Sequence, residues 1–278
     1  MQGHETEIDT RLESKLGFDR VRTFVADRCS TEYAVARVTE ERFSNDPDVI
    51  GARLALTDEM RLIMMFEENF PTNGYIDCLD FLKPLENTGY TIDLLSLGKL
   101  RTMVETVRKL TNFFISTKDG VYPNLKRMSS SIMCFPEVQR RIDLILDKFG
   151  DVKDTASDKL LEIRRAIKTK EGAISKRANA ILKQAQADGL VDEDAGLSVR
   201  DGKLLIPVNS SSKKKIQGFV YDTSATGKTA FIEPAEIIEL ENEIVTLHAD
   251  EALEIQRILA AFSDFVRPYV PDLINSVE

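Results

Sequence analysis

From Lys159 to Gln186 the chain holds one uninterrupted helical pattern, in which Leu160, Ile167, Ile174 and Ile181 recur at every seventh position. Such a row is the seam of a coiled-coil-like helix. Gly172 is tolerated inside it at a cost of roughly 1 kcal/mol relative to Ala. The pattern returns after Pro234. From Ala235 to about Val266, Ile237, Ile244, Ile258 and Phe265 share a seven-residue row, with Glu251 its exception. Ile238, Val245, Ala252, Leu259 and Val266 lie beside it.

Between these helices the pattern is no longer helical. Asp201-Gly202 separates two β-prone runs, Leu197–Arg200 and Lys203–Asn209. Asp-Gly suits a two-residue type I′ hairpin, which needs positive φ at both central residues. Further runs cover Ile216–Asp222 and Lys228–Glu233, and Gly227 supplies a positive φ between them. Pro207 cannot donate to a ladder, so its strand is expected to be an edge or to carry a bulge there. The prediction is a four-stranded antiparallel sheet with Ser210–Lys215 as its exposed loop.

Residues 1–150 read as a compact unit of several short helices. One spans residues 8–29, with Leu12, Leu16, Val21 and Val25 on one side, and another runs from about Thr31 to Arg42. Asp46 caps a third, with Pro47 at its first position. That helix reaches about Asn69 and carries Ile50, Leu54, Met60, Ile63 and Met64, the methionines as core filler. After a short piece from Asp77 to Leu85 and a turn at Asn87-Thr88-Gly89, Asp93 caps a helix to about Ser116, with Leu97, Leu100, Val104, Val107 and Leu110 inward. A loose segment containing Pro123 follows, and Pro136 opens a helix to about Lys148 that turns Val138, Ile142, Ile145 and Leu146 inward. Phe24, Phe66, Phe81 and Phe113 are expected in the core. The fold class is therefore mainly α: a helical core domain (1–150), a first long helix (151–190), a β domain (191–234), and a second long helix returning to the core (235–278).

Charge sharpens this picture. Residues 159–186 carry eight basic and two acidic residues, net +6, while residues 233–264 carry nine acids against Arg257, net −8. A basic and an acidic helix of similar length joined by a small sheet are expected to pair antiparallel. Charge then selects partner and orientation, since exposed pairs are worth only ~0–1 kcal/mol each. About 28 residues at ~1.5 Å each span roughly 42 Å, so the expectation is a stalk with a β tip. From Gly196 to Ile232 Arg200, Lys203, Lys213, Lys214, Lys215 and Lys228 outnumber Asp201 and Asp222, net +4 in a chain of net −9. A basic tip on an acidic protein is the footprint of a phosphate-backbone contact, although three lysines alone also suit a solvated loop.

Other chemistry is sparse. Gly227-Lys228-Thr229 ends like a phosphate-binding loop. Five positions before Gly227, however, stands Asp222 rather than Gly, and the segment runs into β-prone residues instead of a helix. The histidines, His4 and His248, are expected in a frayed terminus and on a helix, which removes the usual histidine-based nucleophile constellations and histidine-rich metal sites. Cys29, Cys78 and Cys134 are far apart and read as buried thiols of a reducing compartment, without a disulfide frame. No 18-residue apolar run suggests a membrane span, and the polar, acidic first residues lack a signal-peptide core. A cytoplasmic protein is expected, with no catalytic, cofactor-binding or metal-binding residue assigned in this chain.

The chain resembles the N-terminal part of the bacterial MutS-related proteins of the second type (MutS-two), which lack the mismatch-reading domain of true MutS. The resemblance is strongest at Arg200-Asp201-Gly202-Lys203, Ile206-Pro207-Val208, Lys214, Gly218, Val220, Asp222, Ser224-Ala225, Gly227, Thr229 and Phe231-Ile232-Glu233-Pro234. It continues through Leu240, Asn242-Glu243, Glu254-Ile255 and Arg257-Ile258-Leu259. Phe18-Asp19, Arg28-Cys29-Ser30, Val152-Lys153-Asp154 and Ala156-Ser157 also fit. It implies a core, two lever helices and a clamp that touches the nucleic-acid backbone without reading sequence. Full-length members carry an ATPase, using ATP and Mg, after the levers and usually a C-terminal Smr nuclease domain. They form homodimers and are associated with recombination suppression and with stalled, collided ribosomes. This chain stops at Glu278, before any such ATPase or Smr domain. The expectation is therefore a non-enzymatic part of a longer protein.

Two functional readings follow. In the first, Lys213, Lys214, Lys215 and Lys203 contact phosphates of duplex or branched DNA, with Arg200 and Lys228 as supports. In the second, the stalk is a structural arm docking on a protein or on ribosomal RNA, and the lysines only solubilise it.

Overall fold

The computed structural model describes residues 12–42 and 44–277. It is mainly α with one small antiparallel sheet, the fold class read from the sequence. Two compact units are present: Met1–Asp151 with Leu259–Glu278, and Val152–Ile258.

The first unit contains α1 (Phe18–Ala26), α2 (Glu32–Glu40), α3 (Pro47–Phe66), α4 (Leu79–Leu85), α5 (Leu94–Ser116), α6 (Pro123–Ser129) and α7 (Pro136–Ile145). The two expected caps, Asp46 and Asp93, are in place, and Thr31 adds a third. Asp46 accepts from the Asp48 N–H at 2.9 Å, Thr31 from Ala34 at 3.1 Å, and Asp93 from Ser96 at 2.9 Å. Leu97, Leu100, Val104 and Val107 of α5 are buried with Val138, Ile142 and Ile145 of α7. Phe70, Phe113 and Phe114 stack edge to face with centroids 5.1–6.4 Å apart, beside Ile63 and Leu125.

Several expectations for this unit fail. The single helix over residues 8–29 is broken at Gly17, which sits at φ 74° between helical residues 12–16 and α1. Its start at 8–11, like His4, lies outside the described residues. Leu12, Leu16, Val21 and Val25 are exposed, and α1 and α2 bury no residue. On α3 Ile63 is buried, whereas Ile50, Leu54, Met60 and Met64 face solvent, so its methionines do not fill a core. Phe81 and Phe113 are buried, but Phe24 and Phe66 are not. The segment read as loose around Pro123 is helix α6, for a tertiary reason. Glu59 of α3 is only 9% exposed, and it accepts from the N–H groups of Asn124 and Leu125 at 3.1 and 2.8 Å and from the Asn124 amide at 2.7 Å. It thus satisfies the first free donors of that helix. Of the cysteines only Cys78 is buried, its thiol pushed up to about 12 by burial and by Asp77 and Asp80. Cys29 is half-buried and Cys134 exposed.

The second unit is built on α8 (Asp158–Ala187) and the first 24 residues of α9 (Ala235–Val266). Ion pairs fix their antiparallel register. Arg164 binds Glu251 at 2.7 Å, Lys170 binds Glu243, and Arg177 binds Glu236. The sequence separations fall from 87 to 73 to 59, two residues lost for each step along the pair. Each cation comes from α8 and each anion from α9, the arrangement the opposite charges predict. Leu160, Ile163 and Ile167 are buried at one end and Ala178, Leu182 and Ile237 at the other. Val245 stays exposed midway, so part of the second apolar row makes no seam.

Beside α8's buried end, Glu254 is 1% exposed. It accepts two bonds from Arg257 at 2.9 Å and one from Ser157 at 2.7 Å. The Arg257 hydrogen bonds hold its carboxyl below the usual range, helped by Ser157 and against the cost of burial. Ser157 also caps α8 by accepting from the Leu160 N–H at 3.0 Å. Among the described residues no helix is long and apolar enough to cross a membrane.

Candidate nucleic-acid interface

Strands β1 (Ser198–Arg200), β2 (Lys203–Asn209), β3 (Gly218–Thr223) and β4 (Thr229–Pro234) form one sheet in the order β1-β2-β4-β3. The Asp-Gly turn forms as read, with Asp201 at φ 48° and Gly202 at φ 79°. Pro207 lies on β2, which has neighbours on both sides. Yet β1 pairs only as far as Leu205, opposite Ser198. At Pro207 the strand is therefore locally an edge, and the missing N–H goes unused. Gly227-Lys228-Thr229 enters β4, so no helix N-terminus is offered to a phosphate there.

Alternation gives the sheet two faces. Ile206, Val208 and Ile232 pack with Leu182 and Ala185 of α8 and with Leu190 and Val191 of the following loop. The opposite face carries Lys203, Pro207, Phe231, Glu233 and Phe219, as the pairs Pro207↔Phe231 and Phe219↔Glu233 require. A bulge between Val220 and Asp222 inserts Tyr221 as an extra residue. It brings both Tyr221 and Asp222 to side chains from the far edge. Arg200 binds Asp222 and lies over the Phe231 ring, its Cζ 3.6 Å from the centroid. The Tyr221 hydroxyl donates to Asp201 at 2.6 Å. That bond to the carboxylate raises the phenol's pKa above its ordinary value. Residues 200 and 201 are thus tied to 222 and 221, and side chains clasp the two edge strands together across the sheet.

The six basic residues singled out in the sequence separate into two groups. Arg200 and Lys203 are engaged within the sheet. Lys203 binds Glu233, which is buried, and reaches Glu241 of α9 at 3.4 Å. The Glu233 hydrogen bond, against a desolvation cost, holds its ammonium above the ordinary lysine range. Lys213, Lys214, Lys215 and Lys228 are exposed and belong to no ion pair among the described residues. The structure also brings their two loops together. The Ser210 N–H donates to the Lys228 carbonyl at 2.9 Å and its hydroxyl to that of Gly227 at 2.6 Å. From there residues 213–217 return along the sheet, and Ile216 packs on the α8 side. Sequence reasoning missed the clasp, because a bulge and two cross-sheet pairs leave no local pattern.

The class of protein is therefore a mainly helical one in which an antiparallel, charge-matched helix pair carries a small sheet with unpaired lysines. No family model matches the chain. It is 28% identical over 268 residues to a protein named Endonuclease MutS2 of Listeria monocytogenes serotype 4a (strain HCC23), a match covering 96% of this chain and 34% of that protein. Proteins of the same name from Thermomicrobium roseum and Geobacillus sp. (strain WCH70) are each 27% identical, over 268 and 273 residues. These matches cover 95% and 98% of this chain and 33% and 35% of theirs. The resemblance to the MutS-two proteins is thus borne out: the chain is similar to them over nearly all of its length, and it spans about a third of theirs.

Proposed function

We propose that this chain supplies the nucleic-acid-backbone clamp and lever helices of a MutS-like protein acting in the control of DNA recombination and repair. The observation that carries this is the division of the tip's cations. Arg200 and Lys203 hold the sheet together, whereas Lys213, Lys214, Lys215 and Lys228 project from joined loops without a carboxylate partner. A cation with no internal partner on an acidic protein favours a phosphate, and such contacts carry no sequence information. In this reading the helix pair, with its cross-linking ion pairs, is the lever that positions the tip. The catalytic part of the relatives' name we assign to the two-thirds of their length outside the match.

The test is the salt dependence of binding to duplex and branched DNA. Replacing Lys213, Lys214 and Lys215 with alanine should shallow the slope of log affinity against log salt by up to ~2.7, at ~0.9 per phosphate contact on duplex DNA. An unchanged slope removes these lysines from the mechanism. A structured RNA bound more tightly than either DNA would move the reading toward a ribosomal partner.

A further inference from the structure

The face of the sheet opposite α8 has a feature that a backbone clamp leaves unused. Phe219, on edge strand β3, is 65% exposed, and its pairing with Glu233 puts it on the same face as Phe231. Asp222, which holds Arg200 over Phe231, pairs two positions further along β4, about 7 Å away at the rise of a strand. An aromatic ring open to solvent therefore shares a face with a guanidinium that is already stacked and already holding one anion.

We infer that this face is a stacking site for an unpaired nucleobase of single-stranded nucleic acid, in which Asp222 occupies the place a phosphate takes on Arg200. Phe219 offers a flat apolar surface to a base, and every base has a π-face to give. Arg200 offers the planar fork that binds a phosphate as it binds a carboxylate. Since Asp222 and a phosphate compete for the same donors, the clasp opens only when the strand supplies the replacement anion. A duplex has the phosphates but keeps its bases inside, so it uses the lysines without the ring. This rests on the proposed function only in taking nucleic acid as the ligand.

The experiment uses a 12-nucleotide single strand, as DNA and as RNA, with a central 2-aminopurine, beside the DNA duplex of the same sequence. Phe219→Ala and Phe219→Leu should each weaken single-strand binding about 5- to 150-fold, the range for loss of one stacked base. Both should restore the quenched 2-aminopurine emission and leave duplex binding unchanged. Asp222→Asn should tighten single-strand binding, since no carboxylate has to be displaced from Arg200, and leave the salt slope near the wild-type value because the phosphate contact is made in both. Single-strand affinity unmoved by either Phe219 change, or lost equally with the duplex, overturns the stacking site. An Asp222→Asn single-strand affinity no tighter than wild type overturns the exchange on Arg200. If the three-lysine variant keeps the wild-type duplex slope while Phe219→Ala loses single strands, the backbone clamp fails and the stacking site stands. Wild-type protein that binds no oligonucleotide at low salt overturns both.

Discussion

Gly218 offers a sharp test of how the sheet is built. It opens β3 opposite Pro234, and a Cβ added there would fall well inside contact distance of the Glu233 carbonyl oxygen and 2.9 Å from both Ile232 Cγ2 and Pro234 Cα. Two of these obstacles are backbone atoms of β4, so neither can rotate away as a side chain would. Restoring ordinary carbon–carbon separation of ~3.5–4.0 Å would shift β3 by roughly 0.6–1 Å. The adjoining Ala235 N–H to Gln217 carbonyl bond, now 2.9 Å, would then exceed hydrogen-bonding range. Overpacking costs about 1–3 kcal/mol, and a lost hydrogen bond adds about 0.5–1.5 kcal/mol. The stiffer unfolded chain returns about 0.4–1 kcal/mol. Gly218→Ala should therefore destabilise the sheet by about 2–3 kcal/mol. Gly172→Ala is the internal control in the same unit. That glycine lies mid-helix in α8 with open space where a Cβ would go, so the change should stabilise by about 0.8–1 kcal/mol. Hydrogen–deuterium exchange reads both locally. Protection in peptides covering 216–236 should fall about 30- to 150-fold in Gly218→Ala, while protection along 165–180 should rise in Gly172→Ala. A Gly218→Ala protein at least as protected as wild type would refute the close-approach argument.

The remaining expectations concern two buried carboxylates. The pKa of Glu254 is depressed in the folded protein, so its contribution is fully present above the unfolded glutamate value of about 4.3 and is lost as pH falls through the folded pKa. Glu254→Gln should flatten the acid limb of the helix pair's stability, measured by circular dichroism between pH 7 and 2.5; an acid limb identical to wild type would rule Glu254 out as its source. Glu59→Ala strips the cap from α6 and should cost about 2 kcal/mol, the upper range for a cap. Exchange protection confined to residues 121–132 should drop, and uniform protection across the variant would show that α6 does not depend on Glu59.

How much was legible in the chain follows from where each determinant sits. The helix pair could be read because its instructions are periodic and local: seven-residue rows, one basic helix and one acidic helix. The sheet could be read because Asp201-Gly202 dictates a turn. By contrast α6 takes its cap from Glu59, 64 residues before its first residue Pro123, and no window over the proline-containing segment could show it. The methionines of α3 recur at spacings that suit a core, but periodicity shows only that a face is apolar, not that something covers it. At the tip, counting charges found all six cations but could not separate the two neutralised by Asp222 and Glu233 from the four left free. That separation depends on strand order and on one inserted residue, Tyr221.

The two helices are joined to the sheet in different ways. Between α8 and β1 lie residues 188–197, ten residues of loop and turn. Between β4 and α9 lies nothing: the strand ends at Pro234 and the helix begins at Ala235, whose N–H is pinned to the Gln217 carbonyl ahead of β3. A loop absorbs rotation, and a direct splice transmits it. The backbone therefore gears the sheet to α9 alone, while α8 grips it through side chains, Leu182 and Ala185 packing against Ile206, Val208 and Ile232. A twist entering through α9 reaches β4 along the main chain, while a twist entering through α8 reaches the sheet only across the packed side chains of its buried face.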